Sequence, residues 1–251
     1  HDTTEGIPEA LSAAKGTGLE VIPGIEFSTV RNGRDVHIVG LDIDYDSPRM
    51  QHKLQELQNG RIRRNQQMID LMAADGIDIS QEQMRERFGD QLWTRAHFAR
   101  YLAEHGYVRN MWDAFETHVG DTCRYYVPRE KVSPADMVRF IREGGGIPVL
   151  AHPFQYHLDE EGRYTLIREL KYAGLIGIEA MYSTHTGSQE SEACKYARHF
   201  GLCISGGSDF HGANKPAIYL GTGKGNLRIP WDLKYYLLRA SAFRSATIPI
   251  S

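Results

Sequence analysis

The sequence predicts an α/β fold, a parallel sheet or barrel interrupted by a helical insertion, and three observations predict it. Short apolar runs rich in β-branched residues alternate with helix-period segments, the pattern of strands joined through helical crossovers. Three of these runs close on side chains able to bind a metal. Leu19-Glu20-Val21-Ile22 leads through Pro23-Gly24-Ile25 to Glu26, Ile147-Pro148-Val149-Leu150-Ala151 leads to His152, and Leu202-Cys203-Ile204-Ser205 leads through a glycine turn at Gly206-Gly207 to Asp209 and His211. Between these regions the texture shifts to Gln, Arg and Met, with Met50, Leu54, Leu57, Ile62, Met68, Ile69, Leu71 and Met72 at helical spacing. The chain is thus read as a first sheet or barrel part at 1–46, a helical insertion at 47–125 and a second sheet or barrel part at 126–251.

In chain order, Pro8-Glu9-Ala10-Leu11 opens a short helix that runs to Lys15 and closes in the Gly16-Thr17-Gly18 turn. A strand is expected at Leu19–Ile22, then Gly24–Ser28 carrying Glu26. Arg31-Asn32-Gly33-Arg34 has the residues of a hairpin turn, and Val36–Ile43 follows as a strand with His37 at its start. A histidine in a strand is ordinarily a packing residue, and His37 alone carries no assignment. The third helix of the insertion opens at Thr94-Arg95-Ala96-His97-Phe98, with Thr94 as cap and Phe98, Tyr101 and Leu102 on one apolar face. Arg95 and His97 fall in its first turn, where free amides favour an anion; a solvated face is the plain alternative. Ser133 caps a helix from Pro134 to Glu143, stopped by Gly144-Gly145-Gly146. Strand Ile147–Ala151, helix Tyr164–Ala173, strand Leu175–Met181 with Glu179, helix Ser188–Phe200 and strand Leu202–Ser205 complete the alternation. An amphipathic helix at Trp231–Leu238 covers the sheet or serves a dimer.

Composition narrows the function classes. The net charge of −3 has both signs scattered and no basic run, which argues against holding duplex DNA by charge; a short single strand stays compatible. Cys123, Cys194 and Cys203 are odd in number and have no CxxC spacing, so a reducing cytoplasm is expected. No apolar run has membrane-spanning length, no signal peptide opens the chain, and nothing suggests a membrane or an obligate protein partner.

His1-Asp2, Gly24-Ile25-Glu26-Phe27-Ser28, His37-Ile38-Val39-Gly40-Leu41, Thr94-Arg95-Ala96-His97-Phe98-Ala99-Arg100, Ala151-His152-Pro153 and Gly207-Ser208-Asp209-Phe210-His211 stand in this order. Together they resemble the ordered motifs of the PHP (polymerase and histidinol phosphatase) phosphoesterases. The Thr-Arg-x-His-Phe-Ala-Arg segment is similar to the subgroup that removes the 3′-phosphate of nucleoside 3′,5′-bisphosphates and trims short RNA from its 5′ end. The resemblance implies a distorted (β/α)7 barrel holding up to three divalent metals, usually manganese. It implies that Glu26 bridges two metals, that His37 and His152 complete one site, that Asp209 serves the other, and that His1 and His211 hold the third. His1, Glu26, His152, Asp209 and His211 are then the expected catalytic set, and Arg95 and His97 the expected substrate-binding pair. The residue types agree, since mixed carboxylate and imidazole ligands suit manganese, zinc or iron.

Two departures from the family pattern accompany this. The family opens with a strand bearing His-x-His and a second strand ahead of the position of His1, so the first strands of the barrel are expected to be missing and two metal sites depleted. After His152-Pro153 the bisphosphate subgroup commonly has Gly-Arg, where this chain has Phe154-Gln155, and glutamine lacks the charged fork that grips a phosphate. Tyr156 and His157 are read as packing residues rather than a base-stacking pair. Glu179 is read either as a support to the site or as a cap. His52, His105, His118, His185 and His199 match no ligand spacing. The readings that compete with the nucleotide phosphatase are a phosphatase of histidinol phosphate or a sugar phosphate, and a non-catalytic metal- or nucleotide-binding scaffold.

Overall fold

A computed structural model of the chain describes residues 1–90, 92–120, 122–128 and 132–245. The elements run α1 (Ile7–Ala14), β1 (Gly24–Arg31), β2 (Arg34–Leu41), α2 (Pro48–Ala74), α3 (Gln81–Phe88), α4 (Arg95–Glu104) and α5 (Met111–Ala114). They continue α6 (Pro134–Glu143), β3 (Ile147–Leu150), α7 (Glu160–Ala173), β4 (Gly177–Tyr182), α8 (Gly187–Phe200), β5 (Cys203–Gly207) and α9 (Asp232–Ser245). The five strands form one sheet in sequence order, β1-β2-β3-β4-β5.

The sheet is mixed, where the sequence predicts a parallel one. Asn32 and Gly33 both have positive φ, 52° and 78°, as a two-residue hairpin turn requires, and so the chain reverses into β2. β2 then pairs antiparallel with β3, Ile38 opposite Leu150, whereas β3–β4 and β4–β5 are parallel. The expected strand at Leu19–Ile22 is not formed. Leu19 is 68% and Ile22 37% exposed, so no buried face selects an extended pairing there. The strand starts instead at Gly24, beyond Pro23, which has no N–H to give a ladder. Gly206 and Gly207 lie within β5 rather than in a turn, and the reversal falls at Asp209, whose φ is 54°. α7 starts four residues earlier than expected because Asp159 caps it, accepting the Gly162 N–H at 2.8 Å.

The chain clusters into two compact units. One comprises 1–31, 35–50 and 132–251, the other 32–34 and 51–131. In the first unit the sheet is covered by helices that bury a narrow apolar face. α6 buries Met137, Val138 and Ile141, and its Phe140 meets Phe27 of β1 edge-on at 6.1 Å. Each such side chain contributes roughly 1.5–3 kcal/mol by leaving water. α9 seats Leu237 against Ile147, Val149 and Ile176. Gly177 makes room for it, since a Cβ there would lie 2.9 Å from Leu237 Cδ2. The second unit has its own apolar core, in which Met68, Met72, Met84, Phe98 and Leu102 are fully buried. Among the described residues no helix is long and apolar enough to cross a membrane.

Candidate active site

Each strand of the sheet delivers one polar group to the same neighbourhood of the first unit. Glu26 stands on β1, His37 on β2, His152 just after β3, Glu179 on β4 and Asp209 just after β5. His1 joins them because the N-terminal segment is tied to β1. The Asp2 N–H donates to the Glu26 carbonyl at 3.1 Å, and Asp2 Oδ1 accepts the Ser28 N–H at 2.8 Å. These bonds hold Asp2 in the left-handed region at φ 60°, a conformation a non-glycine residue seldom adopts unsupported.

The Glu26 carboxylate is the hub. Its Oε1 lies 2.9 Å from His37 Nδ1 and 3.0 Å from His152 Nε2, and its Oε2 lies 3.6 Å from His1 Nε2. Burial alone would raise the Glu26 pKa, but the His152 and His37 contacts outweigh it and hold the carboxyl well below its usual range. His152 shows the reciprocal effect: burial lowers its pKa, and the Glu26 bond overrides this and raises it. The rings are closely grouped, with His1 and His37 centroids 4.7 Å apart, His37 and His152 5.2 Å, and His1 and His211 5.8 Å. His1, Glu26 and His37 present ligand atoms all within 4.8 Å of one another.

This donor set fits a divalent cation. A carboxylate shared by several imidazoles supplies hard oxygen and borderline nitrogen donors and no thiolate, the set that manganese, zinc and iron accept. The His152 Nδ1 atom is buried without a hydrogen-bond partner, so that ring is oriented through its Glu26 side.

Asp209 and His211 form the adjacent pair. His211 Nδ1 lies 3.1 Å from Asp209 Oδ1 and 2.9 Å from the Asp209 carbonyl. Asp209 Oδ2 accepts from Tyr182 Oη at 2.6 Å and from Lys215 Nζ at 2.5 Å. Burial raises the Asp209 pKa, but the His211, Lys215 and Tyr182 bonds prevail and bring it to about 2. Beside the pair lies a cleft of about 240 Å³ lined by Gln155, Tyr182, Ser183, Thr184, Asp209 and Lys215.

Three residues that the sequence reading left out or assigned to packing hold this arrangement. Tyr156 accepts the His37 N–H at 3.0 Å and donates to the Ala151 carbonyl at 2.6 Å, fixing the strand ends that carry His37 and His152. Tyr182 and Lys215 close on Asp209. A tyrosine at the end of the Glu179 strand was the available signal for Tyr182; Lys215 lies in a loop with no recognisable pattern. Glu179, read earlier as support or cap, accepts the His152 N–H at 2.8 Å. Burial pushes its carboxyl up to about 7. Gly207 makes its place, because a Cβ there would sit 2.4 Å from Glu179 Oε1.

Arg95 and His97 belong to the second unit. His97 Nδ1 accepts the Thr94 N–H at 3.0 Å, capping α4 from inside, and its ring meets Phe88 edge-on at 5.2 Å. Burial lowers the His97 pKa, with Arg100 adding to it. Arg95 donates to the Val119 carbonyl at 3.3 Å and lies over the Tyr126 ring. Other histidines have packing partners: His105 stacks on Tyr101 at 3.9 Å, and His185 bonds the Ala180 carbonyl through Nδ1 at 2.9 Å.

No family model matches the chain. It is 36% identical over 211 residues to a 5′-3′ exoribonuclease of Haemophilus influenzae, covering 84% of this chain and 77% of that protein. It is 34% identical over 212 residues to a 3′,5′-nucleoside bisphosphate phosphatase of Chromobacterium violaceum, covering 84% and 74%. A crystal structure from Bifidobacterium adolescentis, described as a metal-dependent phosphoesterase, superposes with a TM-score of 0.79 at 25% identity, covering 96% of this chain and 83% of that one.

Proposed function

Because the chain belongs to the PHP metal-dependent phosphoesterases, in the branch of the nucleoside bisphosphate phosphatases and 5′-3′ exoribonucleases, we propose that it hydrolyses a terminal phosphate ester of a small nucleotide. The substrates are the 3′-phosphate of a nucleoside 3′,5′-bisphosphate and the 5′ end of short single-stranded RNA. The observation that carries this reading is the Glu26 carboxylate of β1 held between His37 of β2, His152 just after β3, and His1.

Glu26, His1, His37, His152, Asp209 and His211 are the residues that would hold the divalent ions, with manganese taken from the family resemblance and zinc or iron equally compatible with mixed carboxylate and imidazole donors. Bound there, such ions supply a water acidic enough to attack phosphorus near neutral pH and offset charge on the leaving oxygen. Glu26 stays ionised across the physiological range because His152 and His37 stabilise its charge against burial. Glu179 and Tyr156 fix the backbone on either side of His152, and Tyr182 orients the Asp209 carboxylate. Arg95 and His97 are assigned to the non-reacting phosphate on their motif resemblance, with His97 also capping its own helix. The fold we infer is the family's distorted (β/α)7 barrel, with 1–46 and 126–251 as its two parts and 47–125 as the helical insertion. The protein is assigned to the cytoplasm, with no duplex DNA or membrane among its partners.

The test compares phosphate release from adenosine 3′,5′-bisphosphate, nucleotide release from 5′-phosphorylated short RNA, and phosphate release from histidinol phosphate and ribose 5-phosphate, with and without manganese. Metal-dependent release from the first two, well above the others, is expected. Preference for the simple monoesters would move the substrate to that class. Gln155 favours this second reading, because it places a neutral amide on the cleft, bonded to Thr184 at 3.1 Å. Nucleotide binding without turnover at saturating manganese would leave only a scaffold.

A further inference from the structure

Asp209 is a half-buried carboxylate held by three side chains, and one of those partners, Lys215, is the more exposed. The Asp209 side chain is 12% exposed and stands on a left-handed backbone residue, while the Lys215 side chain is 42% exposed and extends from the loop beyond the short turn at Gly212–Asn214. The two lone pairs of Oδ2 are both taken, by Tyr182 Oη at 2.6 Å and Lys215 Nζ at 2.5 Å. A divalent cation that uses Oδ2 must displace one of them. Tyr182 is buried within the unit; Lys215, on a flexible stem, is the partner able to leave.

The displaced ammonium has a destination. Lys215 lines the cleft of about 240 Å³ together with Gln155, Ser183 and Thr184, and Asp209 is the only acidic residue among those lining it. Once Asp209 is engaged elsewhere, an ammonium in this cleft is surrounded by neutral hydroxyl and amide groups. The group that complements it there is an anion with several acceptor oxygens, which is a phosphate.

We propose that Lys215 and a divalent cation exchange at Asp209 Oδ2, and that the released Lys215 becomes the phosphate contact of the cleft, so that metal and phosphate bind cooperatively. This rests on the metal-dependent reading above and deepens it. It makes Lys215 a switch between a carboxylate and a substrate anion. Each ligand then favours the arrangement the other needs, and by linkage each tightens the other equally.

The experiment titrates the full chain with manganese by calorimetry, with and without inorganic sulfate, a tetrahedral dianion that is not turned over. It compares wild type, Lys215→Met and Lys215→Arg. In wild type, sulfate tightens manganese binding about fivefold or more, the lower end of ordinary coupling between sites. Lys215→Met binds manganese more tightly than wild type without sulfate, by a similar factor, and loses the sulfate effect. Lys215→Arg retains the sulfate effect. Manganese affinity in Lys215→Met that is unchanged or weaker, or a sulfate effect that survives the substitution, would overturn the exchange. So would a wild type whose manganese affinity ignores sulfate, a result that needs no variant to fold. Absence of manganese binding by wild type would remove the metal-dependent reading itself, and is thereby distinct from failure of the exchange alone.

Discussion

The two units of this chain spend their buried volume differently. The second fills much of its interior with apolar side chains, Met68, Met72, Met84, Phe98 and Leu102, and also buries Arg61, Arg64 and Asn65, while ion pairs such as Arg109 with Asp113 and Arg124 with Asp75 reach its surface. The first also has an apolar core, yet on and just beyond its strands it buries His152 and half-buries Glu26, Glu179 and Asp209. Burying charged groups is unfavourable unless partners offset it, and removing any one partner exposes the cost. A fold tolerates such a cluster where chemistry needs it. The contrast is between a unit held mainly by apolar packing and one that gathers carboxylates and imidazoles on neighbouring strands.

The largest expected effect tests the stability side. Phe98→Ala removes a fully buried ring from the second unit and should cost about 3–5 kcal/mol of unfolding free energy, read by denaturant titration. Manganese uptake by the protein that remains folded should match wild type; loss of uptake below the unfolding transition would break the contrast. Glu26→Gln tests the other side. It keeps the shape but removes the charge shared by three imidazoles, and phosphate release should fall about 10²–10³-fold. The thermal midpoint should shift by no more than a few degrees, roughly 1 kcal/mol at this chain length. A variant that stays active would mean that the hub is structural.

Gly207→Ala sharpens the comparison at a single atom. The added Cβ would meet Glu179 Oε1 at 2.4 Å, so the carboxylate must move and the His152 N–H loses its acceptor. A loss of about 1–3 kcal/mol is expected, as for other overpacked sites. Calorimetry of Gly207→Ala with Glu179→Ala should recover part of it, because the clash is gone; additive losses would show that the glycine is needed for another reason.

Gly207 also marks what was legible in the sequence. Glu26, His37, His152, Asp209 and His211 are legible as candidates because strand ends and motif order are local signals, and the fold brings them to neighbouring strands or the segments just after them. The same local signal misread Gly206-Gly207 as a turn, because two glycines look alike whether they bend the chain or admit a neighbour's side chain. Leu19–Ile22 was misread as a strand because an apolar run does not say whether a partner covers it. Lys215 has no pattern in the sequence, and Tyr182 only its place after Glu179, because their meaning comes from one contact, with Asp209, that only the folded sheet creates. The hairpin that makes the sheet mixed was legible in Asn32-Gly33; its consequence for the pairing of β2 with β3 was not.

The smallest expected effect is a pH dependence in the second unit, at a stabilising charge cluster. Glu104 accepts a two-pronged contact from Arg87, both bonds at 2.7 Å, and a third from Arg100 at 2.9 Å. Its pKa is lowered from 4.5 to about 2, chiefly by the Arg87 bonds, with the Arg100 bond adding to them against the opposing effect of burial. The folded carboxyl therefore titrates below the unfolded one. Its stabilisation is complete above about pH 4.5 and is lost as the pH falls toward 2. Glu104→Gln should be less stable than wild type at pH 7 by under ~1 kcal/mol, because the cluster is exposed and screened by water. The two proteins should converge near pH 2, and 1 M salt at pH 7 should shrink the gap as well. A gap that persists unchanged at low pH would show that Glu104 acts by packing rather than by charge.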